Sequence, residues 1–127
     1  MYENGWGVDK NNSTVVKWYR KAAEQGHADA QFMLGRMYEG QFGYGVYENN
    51  STAVEWYRKA AEQGDAYAQF NLGGIYENGW GVDIYFSTAL QWYREAAEEE
   101  HVDAQYNIGK MYANGWGVDR NYSTAVQ

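Results

Sequence analysis

His27, Asp65 and His101 hold the same place in three successive copies of a repeated word, and this row is the nearest thing in the chain to a metal or acid–base constellation. Each follows the end of WYRKAAEQG (residues 18–26 and 56–64) or of its altered copy WYREAAEEE (92–100). A metal gathers its ligand atoms within about 2.0–2.3 Å of one ion. Equivalent side chains one repeat apart are separated by two helix spacings of about 8–10 Å, so the row cannot share an ion or a proton. Solvated residues at a turn between helices are the expectation. Ser13, Ser51, Ser87 and Ser123 also recur, yet none has a neighbouring base to activate its hydroxyl, and all suit helix starts. The glycine-rich GWGV is not followed by GKS/T and so lacks the parts of a phosphate loop. No catalytic, cofactor or metal residues are expected, and the chain is read as a non-enzyme.

The elements that position these residues follow from the repeat. WYRKAAEQG begins at Trp18 and again at Trp56, and the altered copy begins at Trp92. A second word, NGWGVD, starts at Asn4, Asn78 and Asn114, with FGYGVY at Phe42 in the remaining copy. A period between about 20 and 50 residues marks a solenoid whose units cannot bury their apolar faces alone. About three and a half units fill residues 1–127 as a single array, with phases near 2–37, 38–75, 76–111 and 112–127.

Each unit resolves into two helices. In the first, here helix A, Ala30, Leu34, Met37 and Tyr38 recur as Ala68, Leu72, Ile75, Tyr76 and as Ala104, Ile108, Met111, Tyr112, at helical spacing. In the second, helix B, Ala53, Val54, Tyr57, Ala60 and Ala61 form the apolar face. Asn11, Asn49 and Asn121 mark its start as side chains able to accept from first-turn amides. Gly26 and Gly64 mark its end as left-handed residues, and Glu100 at the same place must accept strain of about 1 kcal/mol or end the helix differently. The spacing predicts helices at 12–25, 28–39, 50–63, 66–77, 86–99 and 102–113. Gly35, Gly73 and Gly109 inside helix A imply close backbone approach, with the alanine pairs 22/23, 60/61 and 96/97 as the expected opposing surface. The paired glycines of NGWGVD turn the chain back at positive φ, so the hairpins are antiparallel.

Composition bounds the function classes. Seventeen acidic against ten basic residues give a formal charge of −7, a sign that repels phosphate backbones and argues against a nucleic-acid partner. Apolar runs are too short for membrane insertion, and no basic-then-apolar leader is present, a pattern fitting a soluble chain. The absence of cysteine excludes disulfides and thiolate sites but leaves the localisation open. Matches to N-x-S/T begin at Asn11, Asn12, Asn49, Asn50 and Asn121, where helix capping already accounts for these residue types. The acidic run 98–100 is a solvated helix end.

The combination of AxAQxxLGxxYxNGxGV with AxxWYRKAAEQG resembles the Sel-one-like repeat family, a relative of the tetratricopeptide repeats. The resemblance covers essentially the whole chain. It implies an all-α, right-handed α/α superhelix of antiparallel helix pairs that serves as a non-catalytic protein-interaction scaffold. Asp9, Tyr47, Asp83 and Asp119 stand where the family usually has proline. The chain opens in what reads as the last turn of an A helix and stops inside a B helix, with no polar capping face at either end. A segment of a longer array, capable of end-to-end self-association, is the expectation.

Two surfaces are candidates for binding. By the same resemblance, helix A lines the concave side. There Asp29, Phe32, Met33 and Arg36, then Tyr67, Phe70, Asn71 and Glu77, then Asp103, Tyr106, Asn107 and Lys110 face outward and vary between copies, as a recognition face requires. Amides suit backbone groups, cations suit carboxylates and rings suit apolar side chains, so the expected partner is a protein or peptide, steered by its acidic groups toward Arg36 and Lys110. The second surface is the series Trp6, Tyr44, Trp80 and Trp116 in the connections. These rings either fold back over the hairpins or form an exposed edge for protein contact or sugar stacking, the latter suiting a secreted host-interacting or carbohydrate-associated protein.

Overall fold

A computed structural model describes residues 12–39 and 49–117. Trp6, Tyr44, Phe42, Asn11, Asn121 and Ser123 lie outside the described residues. Among the described residues six helices follow one another, α1 (Asn12–Glu24), α2 (Ala28–Tyr38), α3 (Asn50–Glu62), α4 (Ala66–Asn78), α5 (Phe86–Glu98) and α6 (Val102–Asn114). Among the described residues there is no strand. Each helix packs on the next in chain order, so the core is a series of clusters rather than one centre. Val16, Ala23, Ala30, Leu34 and Met37 form the first. Ala53, Val54, Tyr57, Ala60, Ala61, Ala68, Leu72 and Ile75 form the second, and Ala89, Leu90, Tyr93, Ala96, Ala104 and Met111 the third. Tryptophans of the B helices lock neighbouring units together: Trp56 packs on the first cluster and Trp92 on the second.

Glycines within helix A admit a tyrosine ring, not an alanine surface. A Cβ placed on Gly35 would lie 2.5 Å from Tyr57 Cε1, and one on Gly73 would lie 2.5 Å from Tyr93 Cδ1. The expected alanine pairs therefore do not face these glycines. A flat ring fills the groove that a missing side chain leaves, and both rings are fully buried. Gly81 serves a different approach, because a Cβ there would press on Asn50 at the start of α3; Gly117 stands in the same relation to Phe86 and Ser87 at the start of α5. Both described glycine turns are thus seated on the first turn of the preceding B helix. Gly79 and Gly81 have φ of +74° and +79°, which glycine adopts without steric cost.

The turn from B to A contains the row of His27, Asp65 and His101, and these residues turn out to be caps. At the end of α3, Gly64 has φ +96°, its amide donates to Ala61 O, and the Asp65 amide reaches back to Ala60 O at 3.2 Å. This paired closure satisfies two terminal carbonyls. The Asp65 side chain then accepts from the Ala68 amide at 3.0 Å and opens α4. Nδ1 of His27 and of His101 does the same for Ala30 and Ala104, each at 3.2 Å. One residue closes a helix with its amide and opens the next with its side chain. Glu100 accepts the left-handed conformation with φ +63°.

Candidate binding site

The outward residues of α2, α4 and α6 are all exposed or half-buried, but they do different work. Phe32 lies 5.8 Å from Tyr57 and 6.1 Å from Tyr67, while Phe70 lies 5.7 Å from Tyr93 and stacks on His101 at 4.5 Å. Tyr67 meets the edge of His101 at 5.5 Å. Rings from successive A helices therefore form a continuous aromatic row along this face, which couples the units as well as offering apolar surface. The cations lean on rings too, Arg36 over Phe32 and Lys110 over Tyr106, both at 5.7 Å.

A polar triad repeats beside that row. The Tyr57 hydroxyl donates to Glu39 Oε1 at 2.5 Å, and the Tyr93 hydroxyl donates to Glu77 Oε1 at 2.6 Å. Burial holds both phenols well above their ordinary range, and the accepting carboxylates push them further in the same direction. The amides of Asn71 and Asn107 oppose part of that rise without reversing it. The carboxylates thus help to seat the tyrosines that fill the glycine grooves.

Between α4 and α6 the surface dips into a cavity of about 340 Å³ lined by Phe70, Asn71, Glu77, Asn107 and Lys110, together with Glu39, Trp80 and Tyr93. It brings five of the expected face residues together. Asp29, Phe32, Met33 and Arg36 on α2, Tyr67 on α4, and Asp103 and Tyr106 on α6 lie outside it. Two features escape sequence reasoning. Trp80 lines this cavity, 50 % exposed, whereas Trp116 stacks on Phe86 at 5.4 Å and 14°. Gly79 closes α4 at positive φ and the Trp80 amide returns to Ile75 O, a closure that Gly115 and the Trp116 amide repeat at the end of α6. The line of cations and amides is also interrupted here by two carboxylates. Among the described residues no group of three or more His, Cys, Asp or Glu could hold a metal ion, and no helix is long and apolar enough to cross a membrane.

Two-helix units joined by glycine turns, stacked in order and presenting a row of A-helix residues, define an α-helical repeat protein. A family model for the Sel1 repeat matches residues 1–27, 28–65, 66–101 and 102–127, and the chain belongs to that family. Proteins of the family are in general non-catalytic scaffolds for protein interaction. No curated protein matches the chain. Among solved structures it is similar to c5321, a protective antigen of uropathogenic Escherichia coli with an SLR fold, at 40% identity and a TM-score of 0.87, over 91% of this chain and 24% of that one. It is similar also to a Sel1 repeat protein from Oxalobacter formigenes, at 38% identity and a TM-score of 0.77, over 91% of this chain and 49% of that one. Helicobacter pylori cysteine rich protein B is 26% identical, with a TM-score of 0.68, over 94% of this chain and 84% of that one. The chain spans about a quarter and about half of the first two relatives.

Proposed function

We propose that this chain is a non-catalytic scaffold segment that holds an extended or helical stretch of a partner protein on the face built from α2, α4 and α6. One observation carries the reading: residues from two successive A helices converge with a connection residue, Trp80, on a single cavity while the frame around them repeats. Helical solenoids use such faces for recognition, because equivalent positions recur at a regular rise and each can be varied independently. Tyr67 and Tyr106, exposed at 65 % and 69 %, supply rigid apolar contact beside the cavity.

Peptides selected from a random library against the folded chain test this reading. Tyr67→Ala and Tyr106→Ala should weaken their binding about tenfold or more, the scale of an interface anchor. Lys59→Glu, on the exposed surface of α3, should leave it unchanged. Loss through Lys59→Glu with both A-helix variants silent would assign recognition to the opposite face.

A second reading has the half-exposed Trp80 as its support. An exposed indole beside the amides of Asn78 and Asn107 is also the chemistry that stacks and hydrogen-bonds a sugar ring. A chain of the host-interacting kind would use it so, and selective retention on an oligosaccharide matrix that Trp80→Ala abolishes would favour it.

A further inference from the structure

The cavity beside Trp80 has a charge and shape that the A-helix face as a whole does not, and its occupant can be stated more narrowly. Resting on the reading of that face as the binding surface, we infer that this cavity receives a cationic side chain of the partner, an arginine or a lysine. Glu39 and Glu77, at equivalent positions of successive units, both line it, against one cation, Lys110, among the described residues. Each spends Oε1 on a tyrosine hydroxyl, and among the described residues Glu77 Oε2 accepts no hydrogen bond. The Lys110 ammonium lies over the Tyr106 ring rather than on a carboxylate. The walls are Trp80, Phe70 and Tyr93.

An indole face and a carboxylate at one site are the two groups that a guanidinium engages at once, stacking on the ring and donating in the plane to the oxygens. The volume, about 340 Å³, is at the lower end of the range of about 300–1,000 Å³ for ligand sites, which suits one long side chain better than a folded segment. The formal charge of −7 steers in the same direction, since a basic segment approaches a negative molecule and an acidic one is repelled. The acidic partner expected from Arg36 and Lys110 alone does not fit a cavity with two carboxylates in its lining.

The test uses three small probes: N-acetyl-arginine amide, N-acetyl-glutamate amide and cellobiose. Nitrogen–proton spectra of the labelled chain follow the Trp80 indole, assigned through Trp80→Phe. The arginine probe should shift the indole signal and the side-chain amide of Asn107 in a saturable way. The effect should weaken as salt is raised from about 0.05 M to about 0.5 M, because screening shortens the reach of the carboxylates. Glu77→Gln keeps an oxygen for the Tyr93 hydroxyl and should lower arginine affinity by at least about threefold, while Lys110→Gln, at an exposed position, should raise it. A preference for the glutamate probe or for cellobiose, or opposite responses to the two variants, would overturn the inference. These outcomes are separate from the scaffold reading: library peptides bound by the same face through residues that are not basic would uphold that reading while sinking this one.

Discussion

Gln63 Nε2 donates to Gln31 Oε1 across 2.8 Å, and Gln31 Nε2 in turn donates to Ala23 O at 3.0 Å, so one buried amide joins two successive B helices through the A helix between them. One unit on, Gln69 repeats half of this arrangement. Its Nε2 donates to Ala61 O at 3.1 Å, but its Oε1 is buried with no partner among the described residues. The position matching Gln63 is Glu99, whose side chain lacks the amide NH2 that Gln63 uses as donor. Restoring the donor with Glu99→Gln should stabilise the chain by about 1 kcal/mol, the usual net gain when a buried acceptor acquires a partner. Urea denaturation measures it, and an unchanged midpoint would mean that Gln69 Oε1 finds its donor elsewhere.

Glu100 is the one non-glycine residue at positive φ among the described residues, at +63°, where Gly26 and Gly64 stand in the preceding units. A side chain in that region costs about 1–2 kcal/mol. Glu100→Gly should therefore raise stability by about 1 kcal/mol, less what glycine loses in unfolded-chain entropy. Gly64→Ala should lower stability by a similar amount even though nothing lies within 4 Å of the added carbon. Equal stabilities for Gly64→Ala and the parent chain would refute conformational strain as the reason for glycine there.

Adjacent glycines in α4 should respond with opposite signs. Gly73→Ala drives a Cβ to 2.5 Å from the buried Tyr93 ring, whereas at Gly74 the nearest such atom is Tyr93 Oη at 3.8 Å. The first should cost about 1–3 kcal/mol as overpacking, and the second should gain up to about 1 kcal/mol of helix propensity. Thermal unfolding of the two variants distinguishes them, and a loss at Gly74 as large as at Gly73 would show that the ring does not select the glycine.

Alkaline pH should unfold the chain through Tyr57 and Tyr93. Both phenols are raised above the ordinary value of 10.0, mainly by burial and then by Glu39 or Glu77. A raised folded-state value means that the folded chain keeps protons which the unfolded chain has lost. Their contribution to stability is thus whole below about pH 10 and declines as pH rises beyond it. Tyrosinate absorbance and helical circular dichroism, recorded together, check the sign. Two of the 13 tyrosines should ionise only as helix is lost, and ionisation of all with the helical signal intact would contradict it.

The frame was more legible in the sequence than the site. Helix limits such as 66–77 against Ala66–Asn78 could be read because apolar spacing and glycine ends are properties of the local chain. Gly73 announced a close approach but not its partner, since Tyr93 reaches it only after the turn has placed α5 across α4. His27, Asp65 and His101 align in the sequence as solvated turn residues. Their capping depends on an extended backbone, with φ of −73°, −71° and −74°, which residue type alone does not announce. Trp80 and Trp116 look identical in sequence, yet one lines the cavity and the other lies on Phe86, because what each ring meets is set by the neighbouring unit.

Recognition by the face of α2, α4 and α6 is tested most directly by mapping a library-selected peptide onto the assigned nitrogen–proton spectrum of the chain. The largest shifts should fall on Phe70, Asn71, Trp80, Asn107 and Lys110, fading toward the exposed sides of α3 and α5. Shifts concentrated instead on Trp56, Lys59 and Glu62, with the cavity residues unmoved, would contradict it.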